Sequence, residues 1–240
     1  VGEDLGWTAW GGDYMDEIKD GSSANGYTTV GFPLNMTIDT LYDRDGNWSP
    51  TTLVAFMETG SGIVSHLGHS NTTYTLKMRV SDIPAFDNDG IEHAYNFVYG
   101  QGCYCGAFDN MSTGGAYTSD CFAEKFACDD DGAVAAVMNS RYGWGDVGGT
   151  NGSSQYFNRE FFDAMFGEGI YGLGDANDDS KADAVWAIDY GLNRWCHYQI
   201  NLFGDPALQL WTAVPGTLHV SCPDSVVLLQ PDISVAVTSG

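Results

Sequence analysis

Ala133-Val134-Ala135-Ala136-Val137-Met138 is an unbroken apolar run, bounded by Asp131-Gly132 before it and Asn139-Ser140 after it. The run is short for a helix and lacks the polar alternation of a half-exposed strand. It reads as an interior strand of a parallel sheet, because such strands lie between two covering layers and become apolar on both faces. Working outward, Ala94 to Tyr99 is a second strand of buried type, and Gly62 to Leu67 is a third. Before the third, Ser49-Pro50 opens a helix, with Ser as N-cap and Pro at the first helical position. That helix carries Leu53, Val54, Phe56 and Met57 and stops at Gly60. Cys121 to Ala127 reads as a short helix. Tyr156 to Phe166 has apolar residues at 156, 157, 161, 162, 165 and 166, and Ser180 to Tyr190 is a further helix. Met36 to Tyr42 alternates as a strand would, and residues 11 to 33 read as a long Gly-rich loop. Trp195 to Leu202 and Ala207 to Trp211 read as an edge hairpin. Strands separated by helices of this length are crossover units, so the fold class is α/β, with a mostly parallel sheet covered on both faces.

The chain has 240 residues and 43% hydrophobic content, enough to fill a core. Nine Lys and Arg against 32 Asp and Glu give a formal charge of −23. Nucleic acid is excluded as a partner, since binding it requires a basic face that displaces counterions. An anionic membrane surface is disfavoured for the same reason. No apolar run approaches the ~20 residues that span a bilayer, so no membrane span is expected. Val1-Gly2-Glu3-Asp4 is not a signal peptide; it reads as the processed or excised start of something longer, with Val1 at the tail of a strand. The six Cys, at 103, 105, 121, 128, 196 and 222, are not needed as a disulfide framework in a chain of this size. Asn-x-Ser/Thr triplets at Asn35, Asn47, Asn71, Asn110 and Asn151 suit either glycosylation or chance in an Asn-rich, Ser-rich and Thr-rich chain.

Open parallel sheets place their sites at the carboxyl ends of strands. Here the strand ending at Leu67 runs into Gly68-His69-Ser70, and the strand ending at Tyr99 runs into Gly102-Cys103-Tyr104-Cys105-Gly106. One rim therefore offers an imidazole and a thiol, the pair that makes a thiolate nucleophile. The rival chemistry is zinc bound by His66, His69, Cys103 and Cys105; it has the right ligand types but not a familiar spacing. Asp175-Ala176-Asn177-Asp178-Asp179 begins like a calcium loop, yet Ser180 replaces the required Gly and Trp186 the required Glu. An acidic helix start explains it better.

These residues together resemble the gingipain-type cysteine peptidases, relatives of caspases and legumain. Cys103-Tyr104-Cys105-Gly106-Ala107-Phe108 is similar to the family's nucleophile motif, with Cys105 where the family has Asn. Cys121-Phe122-Ala123-Glu124, the strand from Ala133 followed by Trp144, and Phe203-Gly204-Asp205-Pro206 resemble later family blocks in the same order. The resemblance implies a three-layer αβα sandwich over residues 1–215 and an immunoglobulin-like β-module beginning in residues 216–240. It implies a cysteine endopeptidase with Cys103 as nucleophile, His69 as base and acid, and the backbone N–H groups of Cys103 and Ser70 as oxyanion hole. Glu3 is the expected third residue, with Asp13 as the fallback. Trp144 is expected to wall the substrate pocket. Arg141 either faces an acidic substrate residue there or is tied up by an Asp. The resemblance also implies protein or peptide substrates, no cofactor for the chemistry, structural calcium, an extracellular or cell-surface location, and partnership with an upstream part of the same precursor. The family also has a Glu before Gly-Gly where this chain has Trp10 before Gly11-Gly12, and three further features set up the alternative of a non-catalytic surface module that keeps the fold: Cys105 stands where the family has Asn, Ser70 stands where it has Gly, and the family's upstream subdomain is expected to be missing.

Overall fold

The computed structural model describes residues 1–88, 90, 94–112, 114–116, 119–212, 218–223, 225 and 232–239. It divides into two compact units, Val1–Leu210 and Trp211–Gly240. The larger unit is built on four strands: β1 (Ile63–His66), β2 (Asn96–Gly100), β3 (Ala133–Asn139) and β4 (Ile200–Phe203), in the order β4-β3-β2-β1. β1, β2 and β3 are mutually parallel, with Val64 opposite Val98 and Val98 opposite Ala136. β4 closes the edge antiparallel, with Ile200 opposite Asn139.

The sheet is apolar on both sides because each face carries its own helical layer. Phe97, Tyr99, Ala135 and Val137 point to one side, where α1 (Gly11–Asp20), α4 (Ser153–Phe166), α5 (Leu173–Asp183) and α6 (Asn193–Gln199) supply Tyr14, Phe157, Phe161, Ala176 and Cys196. Val64, Val98, Ala136 and Met138 point to the other, where α2 (Pro50–Glu58) and α3 (Phe122–Cys128) supply Leu53, Met57, Phe122 and Phe126. The result is a mixed α/β fold of three layers around a mostly parallel sheet. α2 begins as its sequence dictates: Ser49 Oγ accepts the Thr52 N–H at 3.2 Å and Pro50 occupies the first turn.

Four readings of the sequence are corrected. Residues 11–20 are helix rather than loop; Tyr14, Met15 and Ile18 form its buried face, and the Asp13 carboxylate accepts the Trp10 N–H at its start. Met36 to Tyr42 forms no strand beyond a single bridge at Tyr42, because Val1–Glu3 occupies the place beside β1. Gly2 bridges both Leu67 and Tyr42 in parallel, and the Glu3 N–H donates to the Leu67 carbonyl at 2.9 Å. The helix expected over 180–190 starts at Leu173, with Asp175 in its first turn, and ends at Asp183 before a short 3-10 turn, Ala184–Ala187. The expected edge hairpin is instead α6 followed by β4, since Cys196 and Gln199 recur at helical spacing on the buried side. Gln209 only bridges Gly172. In the second unit, Leu218–Ser221 pairs antiparallel with Ala236–Ser239, so these strands find each other within the chain. Residues 216, 217, 224, 226–231 and 240 of the expected module lie outside the described residues.

α4 is held to α1 by Arg159, whose fully buried guanidinium pairs with Glu17 at 2.8 Å and lies 4.1 Å over the Tyr27 ring. Next to it Glu160 has the opposite problem. Burial, with Asp163, Asp183 and Asp179 close by, pushes its carboxyl up to about 7 despite Arg159. A carboxyl whose value is raised on folding stabilises the fold most below its unfolded value, and that contribution is lost as pH rises through about 7. Glu160→Gln is therefore expected to raise the melting temperature more at about pH 8 than at about pH 5. Thermal melts at the two pH values check this; an equal gain at both would contradict it.

Candidate active site

The carboxyl ends of β1 and β2 lie side by side, since His66 is opposite Gly100. The loop after β1 carries Gly68, His69 and Ser70; the loop after β2 carries Gly102, Cys103, Tyr104 and Cys105. A direct bond joins them: Ser70 Oγ donates to the Cys103 carbonyl at 2.7 Å. The fit leaves no room for another atom at Gly102, where a Cβ would sit 2.1 Å from Ser70 Oγ. Cys103 is presented on a tight turn. The next residue, Tyr104, is left-handed at φ 60°, a conformation costing roughly 1–2 kcal/mol in a non-glycine residue. The Tyr104 N–H donates to the Arg141 carbonyl at 2.7 Å and holds that turn against the loop after β3.

The two sulfurs of this loop differ sharply. Cys105 is fully buried, its thiol donates to the Gly102 carbonyl at 3.6 Å, and burial pushes it up to about 12. Cys103 is part-exposed and its thiol faces the Gly143 carbonyl at 3.7 Å. Burial pushes its pKa above the ordinary thiol value, only partly offset by that contact. His69 is exposed on the facing loop. Among the described residues, the backbone N–H groups of Ser70 and Cys103 donate to no protein acceptor.

Glu3 is nearly buried at 5% exposure, at the end of the segment laid along β1. Its Oε1 is 2.9 Å from His66 Nε2 and its Oε2 accepts the His69 N–H at 3.1 Å. Burial would raise this carboxyl, but the His66 bond and charge, the His69 amide and Lys77 together hold it below its ordinary value. The carboxylate thus supports the backbone of His69, while the ring it touches is that of His66. Alternation along β1 turns Val64 and His66 inward together. A His on the core-facing register of a strand was the available signal for this pair; grouping His66 with zinc ligands obscured it.

The other candidates fall as follows. Asp13 is occupied at the start of α1, where one oxygen accepts the Trp10 N–H and the other pairs with Arg44 at 2.5 Å. Arg141 is held by Asp109 through two bonds of 3.1 and 2.6 Å, so an internal Asp ties it up. Trp144 is 36% exposed beside Tyr142, their rings 5.6 Å apart, and Tyr142 meets the Tyr104 ring at 4.9 Å. These three aromatic residues flank the Cys103 turn and the Gly143 carbonyl that faces its sulfur. The four residues of the zinc reading do not gather as a ligand set; His66 Nε2 lies against Glu3, and the Cys105 thiol donates to the Gly102 carbonyl. Among the described residues, only Glu168, Asp179 and Asp183 group as metal ligands, with carboxylate oxygens within 4.8 Å of one another.

A layered α/β domain with a part-exposed thiol and an exposed imidazole on adjoining strand-end loops has the layout of a cysteine hydrolase. The family model described as Peptidase family C25 matches residues 4–211, and the chain belongs to this family of cysteine peptidases. Solved structures share the fold. The Arg-specific cysteine proteinase gingipain R (RGPB) is 18% identical, with a TM-score of 0.58 over 79% of this chain and 42% of that one. The complex of Porphyromonas gingivalis RgpB pro- and mature domains is 16% identical, with a TM-score of 0.57 over 79% of this chain and 43% of that one. The chain therefore spans less than half the length of the structures it matches. No curated protein matches it.

Gly68 tests the tightness of this arrangement. A Cβ there would lie 2.3 Å from Glu3 Cδ and 2.4 Å from His66 Nε2. Gly68→Ala is expected to destabilise the protein by about 1–3 kcal/mol, the usual cost of overpacking a filled site. Denaturant unfolding measures it; an unchanged midpoint would mean the Glu3 cluster is looser than described.

Proposed function

We propose that the chain acts as a cysteine endopeptidase with Cys103 as nucleophile. Membership of a cysteine peptidase family supports this, and the observation that carries it is the part-exposed Cys103 thiol on a loop bonded to the His69 loop. In this reading the His69 imidazole takes the Cys103 proton as the sulfur attacks the scissile carbonyl carbon. The free N–H groups of Ser70 and Cys103 receive the oxyanion. His69 then returns the proton to the leaving amine, and water resolves the acyl-enzyme to regenerate the thiol. A thiol raised by burial needs this partner, since alone it is protonated at neutral pH. Glu3 serves the base through its loop rather than through its ring. Trp144 walls the pocket for the substrate side chain; with Arg141 held by Asp109, we assign that wall to Trp144 and not to Arg141.

The wider reading follows from the same membership. Substrates are proteins or peptides, and the working place is extracellular or at the cell surface. No described helix is long and apolar enough to cross a membrane. An upstream part of the precursor is the proposed partner, and residues 216–240 are the proposed start of an immunoglobulin-like module. Structural calcium is part of this reading. A hard cation suits a chain of formal charge −23, and carboxylate oxygens such as those of Glu168, Asp179 and Asp183 are the donors it prefers.

Cys103→Ala should abolish both peptide cleavage and labelling by a thiol-directed peptidyl electrophile, while Cys105→Ala leaves labelling in place. Labelling that survives Cys103→Ala, or a folded wild type that neither cleaves nor labels, would sink the assignment. Calcium at about 1–5 mM should raise the melting temperature and a chelator should lower it. An unchanged midpoint would remove calcium from the reading.

A further inference from the structure

His66 is a fully buried imidazole that the proposed chemistry does not use. A buried polar ring is costly unless its hydrogen bonds are met, and a strand position facing the core is ordinarily apolar. Here the ring has one partner. Nε2 lies 2.9 Å from Glu3 Oε1, while Nδ1 is buried with no hydrogen-bond partner. Nε2 is therefore the atom that donates. The second carboxylate oxygen receives the His69 N–H at 3.1 Å, and both groups lie against Gly68, where an added Cβ would sit 2.3 Å from Glu3 Cδ and 2.4 Å from His66 Nε2. Lys77 and Tyr74 act on the carboxylate only through space, and the Lys77 ammonium is already held by Asp43, Asn47 and the Trp48 carbonyl. The orientation of the Glu3 carboxylate is thus set by two N–H donors, one from His66 and one from the residue that carries the proposed base.

We infer that His66 is a positioning residue for the peptidase reaction: through the Glu3 carboxylate it fixes the backbone of His69, and with it the origin of the imidazole that serves Cys103. The inference rests on the cysteine peptidase reading. Losing the His66 donor frees the carboxylate to rotate, and the His69 amide loses a fixed acceptor. The substrate pocket near Trp144 belongs to another loop and is untouched. The defect therefore falls on the chemical step rather than on binding.

The experiment compares His66→Leu, His66→Asn and His66→Gln in the full chain, with steady-state cleavage of a peptide substrate and thermal melts of each variant. His66→Leu should lower kcat by about 10- to 100-fold with KM within about twofold, the scale seen when a supporting hydrogen bond is lost. His66→Gln places an amide N–H near the position of Nε2 and should recover most of kcat; the shorter His66→Asn should not. If His66→Leu does not fold, the Gln and Asn variants carry the comparison, with Gln expected to exceed Asn by about tenfold. Equal kcat for Gln and Asn, or a folded His66→Leu at wild-type kcat, overturns the positioning role while leaving the peptidase reading intact. A wild type without Cys103-dependent cleavage overturns the peptidase reading, and this inference with it.

Discussion

The Glu3 carboxylate is the constraint on which the rim of this domain depends. A carboxylate at 5% exposure is tolerable only with its oxygens satisfied, and its donors come from two places in the chain. His66 is the last residue of β1, and the His69 amide belongs to the loop that β1 enters. Glu3 itself is delivered by backbone pairing of Val1–Glu3 between Leu67 and Tyr42. Ladder bonds fix where the side chain starts, and side-chain bonds fix where it ends. The His69 loop is thereby held from its buried side, and Ser70 holds it from the other by bonding to the Cys103 carbonyl. The two candidate catalytic loops form one hydrogen-bonded unit across β1 and β2.

That unit has value only if the strands beneath it cannot slide. Their register is set by burial on both faces, because a one-residue slip would exchange the sets packed against the two helical layers. Phe97 and Tyr99 meet Phe161 from α4 on one side, with ring centroids 5.5 and 5.1 Å apart. Val98 and Ala136 pack on the α2 and α3 side. The same packing creates the acidic crowding at Glu160: drawing α4 and α5 together over the aromatic core brings Asp163, Asp179 and Asp183 within reach of one another. Part of the chain's negative charge is thus concentrated behind the sheet by the packing that steadies the rim in front of it.

Much of this was legible in the sequence. The apolar run 133–138 declared a doubly covered strand, Ser49-Pro50 declared a helix start, and the paired strand ends pointed to His69 and Cys103. What misled was local composition. Gly11-Gly12 looked like loop, yet the pair opens a helix whose apolar side chains only begin at Tyr14. Trp195 and Tyr198 looked like strand residues, but they are the exposed side of a helix at 63% and 70% exposure, while Cys196 and Gln199 face inward. The alternation over 36–42 was real but found pairing only at its end, since a strand is defined by pairing, Val1–Glu3 took the place beside β1, and only Tyr42 bridges Gly2. The His66–Glu3 bond joins residues 63 apart, and no spacing rule reaches that far.

Ser70 shows why a departure from a family pattern must be read with its neighbours. A hydroxymethyl group added where Gly is usual demands volume, and here that volume is opposite Gly102, the one side-chain type that leaves it free. The hydroxyl then has a defined task, since it donates to the carbonyl of Cys103. Among the described residues its own N–H stays without a protein acceptor, as does that of Cys103. The substitution therefore adds a tie between the loops and leaves unoccupied the two amides proposed to receive the oxyanion. Crowding, the physical objection to Ser at this position, is met by the residue before the thiol. The departure gives no reason in itself to regard the site as dismantled.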